Sequence, residues 1–248
     1  MIPRPSSARR IDPPIGPDLA DPSHRFTIQR AREAFSEQGD EPRFEHDPTL
    51  AASGAAVLIV LVAEDGPGPG KSEAASSSVV LIRRASHLRA NPGEIAFPGG
   101  RIEEGESALA AALREAVEEV ALPAGAVEVL GELPIVHAAS RLIPVLPFVA
   151  VAKDTPALRA CPDEVDCILV VPLRELVAPG RYWQEHWGDD PAWVMHFFDL
   201  GEDLIWGATA RMLYELYLRL VSRGSAGRTD ALPGERTPLA SRTTRAAS

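Results

Sequence analysis

The chain has 248 residues, 45% of them hydrophobic and 24% charged, which suits one substantial core with extensions and excludes a fibrous or wholly disordered protein. Its net charge of −10 argues against a general nucleic-acid binder, which needs a cationic surface to displace counterions. An anionic ligand would have to be met locally, by metal ions and a few placed arginines.

Residues 1–50 form a first unit, an arm with Pro3, Pro5, Pro13, Pro14 and Pro17 and the composition of a flexible or extended segment. Within it Phe26, Ile28, Ala31 and Phe35 have the spacing of a short amphipathic helix, free to pack on the domain or on a partner, and a homodimer is left open. Met1 to Ile15 carries Arg4, Arg9 and Arg10 with no apolar run behind them, unlike a secretory signal.

Residues 51–222 read as the main domain. Ala55 to Ala63 and Ser78 to Arg83 are strand-like runs joined by a loose hairpin loop, and the first is far too short to span a bilayer. Gly70-Lys71-Ser72 in that loop imitates a P-loop, but Asp65 stands where its first glycine should, and a strand follows where a helix is required. Ser107 to Val120 is the strongest helix, with Leu109, Leu113, Ala116, Val117 and Val120 expected on one apolar face, stopped by Pro123 and Gly125.

Further strands are expected at Val127 to Leu133, Ile143 to Val151, Cys167 to Val171 and Trp193 to Phe198. A final helix, roughly Gly207 to Val221, places Met212, Leu213, Leu216, Tyr217 and Leu220 in core spacing. Residues 223–248 have the composition of a disordered, mildly basic tail. Cys161 and Cys167, the only cysteines, lack zinc-ligand or disulfide-framework spacing, so a reducing, cytoplasmic setting is expected, with no membrane partner.

Chemistry enters with Glu115, Glu118 and Glu119, three carboxylates on one side of the strongest helix. Such a face repels itself, which suggests either a solvated acidic surface or a hard divalent cation with oxygen ligands. The residues around it decide between these. Gly100, Glu106, Arg114, Glu115, Glu118, Glu119 and Leu122 fall at the spacing of the Nudix hydrolase signature, which this stretch resembles, with Ala121 where that pattern has glycine.

The resemblance implies a Nudix α/β/α sandwich with a mixed sheet and flexible termini, and hydrolysis of a nucleotide-containing diphosphate with Mg²⁺ or Mn²⁺ as cofactor. It implies metal ligands at Glu115, Glu118, Glu119 and the Gly100 carbonyl. Arg114 would orient Glu115, with Glu106 and Gly99 as structural supports. The general base is left open between the helix (Glu115 or Glu119) and a later loop (Asp163 or Glu164).

Upstream, Arg89, Gly93, Phe97, Pro98, Gly99 and Gly100 resemble the element of the coenzyme A pyrophosphatase branch, with Ile82 in place of its threonine. Ile205 to Arg211 also resembles that branch. The implied substrate is coenzyme A or an acyl derivative, and Arg83, Arg84 and Arg89 are the cations expected to meet its phosphates. Two rivals are an ADP-ribose or dinucleotide (NADH-type) pyrophosphatase and a non-catalytic Nudix-like binding module. His87 reads as a loop histidine.

Overall fold

The computed structural model describes residues 4–12, 14–36, 53–64, 76–138, 143–188 and 193–222. The P-loop-like tripeptide and the tail from 223 lie outside the described residues. In chain order the elements are β1 (Arg9–Ile11), α1 (Ile28–Ser36), β2 (Ala55–Ala63), β3 (Ser77–Arg84), β4 (Ile95–Ala96), β5 (Gly99–Arg101) and α2 (Ala108–Val120). There follow β6 (Val127–Glu132), β7 (Val136–Ala138), β8 (Ile143–Ala152), β9 (Val165–Pro172), α3 (Leu173–Leu176), β10 (Tyr182–His186), β11 (Val194–Asp199), β12 (Leu204–Ile205) and α4 (Gly207–Val221). A short 3₁₀ turn at Ala124–Ala126 follows α2.

The main sheet runs β4-β3-β2-β8-β6, with β5 on β2, β7 on β8 and β9 on β3. It is mixed: β2 and β8 are parallel and the other pairs antiparallel. A central strand buried on both faces needs a continuous apolar run rather than an alternating one, and Ala56 to Val62 of β2 are all buried. Successive side chains still go to opposite sides. Leu58, Val60, Val80 and Ile82 pack with α2, while Ile59, Leu61, Val79 and Leu81 join the core of α1 and α4.

The result is an α/β/α sandwich. A second antiparallel sheet, β1-β10-β11-β12, extends the α4 side. There Tyr182 and His196 stack on Tyr214, and Phe198 on Tyr217. The described part of the N-terminal segment runs through turns and the short strand β1, and it is docked. β1 pairs with β10, and Arg4 ion-pairs with the buried Glu185, which also accepts from the indole N–H groups of Trp183 and Trp187 at 2.8 and 2.9 Å. Helix α1 buries Ile28, Ala31, Ala34 and Phe35 against the domain itself.

One expectation needs correcting. The face that α2 presents to the sheet is Ala108, Ala111, Ala112, Ala116, Glu119 and Val120, whereas Val117 is 45% exposed. The longest apolar side chains mark the flank of this helix. Its buried face is made of alanines, because only small residues let a helix come close to a sheet. Among the described residues no helix is long and apolar enough to cross a membrane.

Candidate functional site

Helix α2 is fixed at both ends by local bonds. Ser107 caps its start, its Oγ accepting from Ala110 N–H at 3.2 Å. At the far end Ala121 takes a left-handed conformation (φ 54°, ψ 34°), and the N–H of Leu122 reaches back to the Ala116 carbonyl at 3.1 Å, a Schellman-type exit. The position that resembles a family glycine therefore keeps the glycine conformation with an alanine in it.

Between β2 and α2 the chain turns through Gly99 and Gly100, where β5 pairs with β2. A side chain at Gly99, whose φ is +156°, would run into the backbone of Ala56 and Val57. One at Gly100 would overlap the Glu115 carboxylate, so glycine lets that carboxylate lie against the turn. The Gly99 N–H donates to Glu119 Oε2 at 2.9 Å. The other oxygen, Glu119 Oε1, is buried with no hydrogen-bond partner among the described residues, and Arg84 Nη1 lies 3.7 Å from it. Glu119 is 1% exposed, and this burial pushes its carboxyl up to about 7, with the Gly99 N–H opposing.

Arg114 ties the rest together. Its Nε and Nη2 donate to the two oxygens of Glu106 at 3.0 and 3.1 Å, its Nη1 to Glu115 Oε1 at 2.9 Å and Glu118 Oε2 at 3.1 Å, and its Nη2 also to the Arg101 carbonyl at 3.1 Å. Glu106 in turn accepts the Glu103 N–H at 3.1 Å, so it braces the loop that enters α2. The guanidinium holds Glu106 below the usual carboxylate range. Burial raises Glu115 against the pull of Arg114.

The carboxylates that converge differ from the set on the helix alone. Ligand-capable oxygens of Glu115, Glu119 and Glu164 all lie within 4.8 Å of one another. Glu118 is not among them: it sits at the exposed rim of α2, in the grip of Arg114. Glu164 arrives from the loop before β9 and is exposed, whereas Asp163 offers this region its backbone carbonyl, 3.1 Å from His87 Nε2.

The three arginines also part company. Arg84 lies on the α2 side, near Glu119. Arg83 is one residue away on the same strand and therefore on the opposite face, where it forms a two-point pair with Asp203; it does not join the glutamates. Arg89 is exposed on the following loop and has no hydrogen-bond or ion-pair partner among the described residues. Glu94, in the connection between β3 and β4, carries no sequence signal of its own. It is half-buried, and burial raises its carboxyl while nearby Arg84 lowers it.

This arrangement fits a divalent cation. The donors are hard oxygens, one of them buried without a hydrogen bond among the described residues, and two of the three carboxylates are raised by burial as they would be in want of positive charge.

Residues 53–202 match the family described as the NUDIX domain. The chain is 37% identical over 187 residues to the uncharacterized Nudix hydrolase NudL of Salmonella paratyphi B and to that of Salmonella newport, covering 72% of this chain and 88% of each relative. Among solved structures it is similar to a MutT/nudix family protein from Enterococcus faecalis (19% identity, 76% of this chain and 68% of that one, TM-score 0.46). The Nudix hydrolase RenU of M. smegmatis is another (24% identity, 50% and 72% covered, TM-score 0.38).

Proposed function

The chain belongs to the Nudix family of diphosphatases, and from that premise we propose that it hydrolyses the diphosphate bond of coenzyme A or an acyl-coenzyme A, giving 3′,5′-ADP and a 4′-phosphopantetheine product. The observation that carries the hydrolytic part is the convergence of Glu115, Glu119 and Glu164 beside the glycine turn, with one buried oxygen of Glu119 left for a cation. Glu115, Glu119 and Glu164, joined by Glu118 and the Gly100 carbonyl, would hold Mg²⁺ or Mn²⁺. When bound, such ions neutralise charge on the two phosphoryl groups and make water a stronger nucleophile.

The side chains have separate tasks in this reading. Arg114 fixes Glu115 and the loop through Glu106, and the Gly99 N–H fixes Glu119. Glu164, the solvent-facing member, takes the proton as water adds to phosphorus and the bridging P–O bond breaks. Arg84, beside Glu119, and Arg89, on the loop leading to the glycine turn, meet substrate phosphates. The coenzyme A assignment rests on the likeness of Arg89, Gly93 and Phe97 to Gly100 to the coenzyme A branch.

One observation favours the ADP-ribose or dinucleotide reading. Asp203 occupies Arg83, so one cation fewer is available for the 3′-phosphate of coenzyme A. Incubation with Mg²⁺ and equal concentrations of coenzyme A, ADP-ribose and NADH, with products identified by mass, decides between them. We expect phosphopantetheine as the fastest-formed product; preference for a compound without a 3′-phosphate would overturn the assignment, and no turnover of any would leave a binding module.

A further inference from the structure

Glu164 differs from its two partners in how it is held. Glu115 and Glu119 are fixed by a rigid helix and by direct bonds to their carboxylates, from Arg114 and from Gly99. Glu164 sits on a loop, exposed, and is placed chiefly by backbone bonds of that loop. Those bonds run in two directions. Toward α2, the N–H groups of Glu164 and Val165 donate to the Cys161 carbonyl at 3.0 and 2.8 Å, and the Cys161 N–H donates to the Glu119 carbonyl at 2.9 Å. Toward the arginine-bearing loop, the Ala85 N–H donates to the Glu164 carbonyl at 2.9 Å.

A single side chain adds to this clasp. His87 Nε2 lies 3.1 Å from the Asp163 carbonyl, and since a carbonyl can only accept, Nε2 carries the proton and donates. A bulge lies next to the loop. Arg83 pairs with Cys167 but Arg84 pairs with Val165, leaving Asp166 unpaired between them. Beyond the bulge Val165 packs into the core of α2, and Glu164, next to it, lies beside the other two glutamates.

We propose that His87 is a positioning residue for Glu164, locking the loop between Cys161 and Val165 onto the loop that leaves β3 after Arg84 and carries Arg89. The proposal rests on the reading of Glu164 as part of the hydrolytic site. It couples the two sides of the site: the loop that meets the substrate also sets the third carboxylate.

The test uses the full chain, with Mn²⁺ as the ion and coenzyme A as the substrate. His87→Ala is expected to lower kcat about tenfold with KM little changed, the size usual for losing a group that orients a ligand. His87→Gln, whose amide N–H can reach the same carbonyl, should recover most of it. In a Glu164→Gln background His87→Ala should have almost no further effect, because the carboxylate it positions is gone. An equal loss in both backgrounds, a change confined to KM, or no loss at all would overturn the proposal. Mn²⁺ affinity, read by electron paramagnetic resonance in the wild type, His87→Ala, Glu164→Gln and the double variant, needs no substrate. It should fall severalfold with His87→Ala only where Glu164 is present, so a wrong substrate and a wrong role for His87 give different results.

Discussion

The two faces of the main sheet solve opposite problems with the same strands. On the α4 side the core is built from large side chains, among them Phe198, Tyr214, Tyr217, Leu213 and Leu216, and the N-terminal segment is added over it. On the α2 side the helix contributes mainly alanines, with Val120 and one buried glutamate. The thick face supplies apolar burial and so holds the fold. The thin face gives up that burial so that a charged helix can press against the glycine turn, where the Gly99 N–H and the Glu115 carboxylate come into contact range of their partners. Stability and chemistry are thereby placed on different sides of one sheet, and substitutions should separate them.

The largest effect is expected on the thin face. Glu119→Gln keeps the size of the side chain and a group able to accept from Gly99, but removes the charge a cation would need. The rate should fall on the order of a thousandfold, as the loss of several kcal/mol of transition-state charge stabilisation implies. Thermal unfolding should be unchanged or shifted upward, because a carboxylate whose burial already pushes it up to about 7 is replaced by a neutral amide. Rate measurement and a melting curve on the same preparation check both halves, and a lower melting temperature with full activity would invert the comparison.

The thick face should behave in the opposite way. Leu213→Ala, at a fully buried position of α4, is expected to cost about 2–5 kcal/mol in urea unfolding while kcat per folded molecule stays within a factor of about two. This asymmetry also explains what could be read from the sequence. The stripe Met212, Leu213, Leu216, Tyr217 and Leu220 announces the α4 core because large apolar residues at helical spacing have few other uses. The same rule misjudges α2, where Val117 is prominent in sequence and exposed in the fold, since close approach selects for the absence of side chain.

The glutamates and the glycine pair were legible as a motif, but Glu164 needed tertiary structure to find its partners. Strand alternation puts Arg83 and Arg84 on opposite faces, so only one of them can lie beside the glutamates. β1 and β10 were invisible because Arg9-Arg10-Ile11 and Tyr182 to His186 carry polar residues whose partners lie far off in sequence, as Arg4 and Glu185 do.

The second sheet offers a smaller effect with a definite sign. His196 is buried on β11, its Nδ1 facing the Tyr182 hydroxyl at 2.9 Å and its ring stacked on Tyr214. Burial, helped by Arg211, pushes it down to about 3. A histidine lowered in the folded state contributes stability that is complete above its unfolded value near 6.5 and is lost as pH falls toward 3, at up to about 1.4 kcal/mol per pH unit. Urea unfolding from pH 7 to pH 5 should therefore show a steeper loss in the wild-type protein than in His196→Gln. Parallel curves would mean that His196 is charged, or free to become so, in the folded state.

The smallest effect tests the exit from α2. Ala121 adopts φ 54° where a Cβ is disfavoured, a strain of about 1–2 kcal/mol for a non-glycine residue. Glycine removes that strain but gives the unfolded chain more freedom, which takes back about 0.4–1 kcal/mol. The balance predicts that Ala121→Gly stabilises the protein by up to about 1.5 kcal/mol in urea unfolding. The Schellman bonds that close the helix use only backbone atoms, so the substitution leaves them in place. Glu119 lies two residues before this exit and is held independently by Gly99, so the rate should not follow the stability. A gain in stability accompanied by a loss of activity would show instead that the strained alanine helps to set the glutamate, and that the thin face is tuned from its end as well as from its turn.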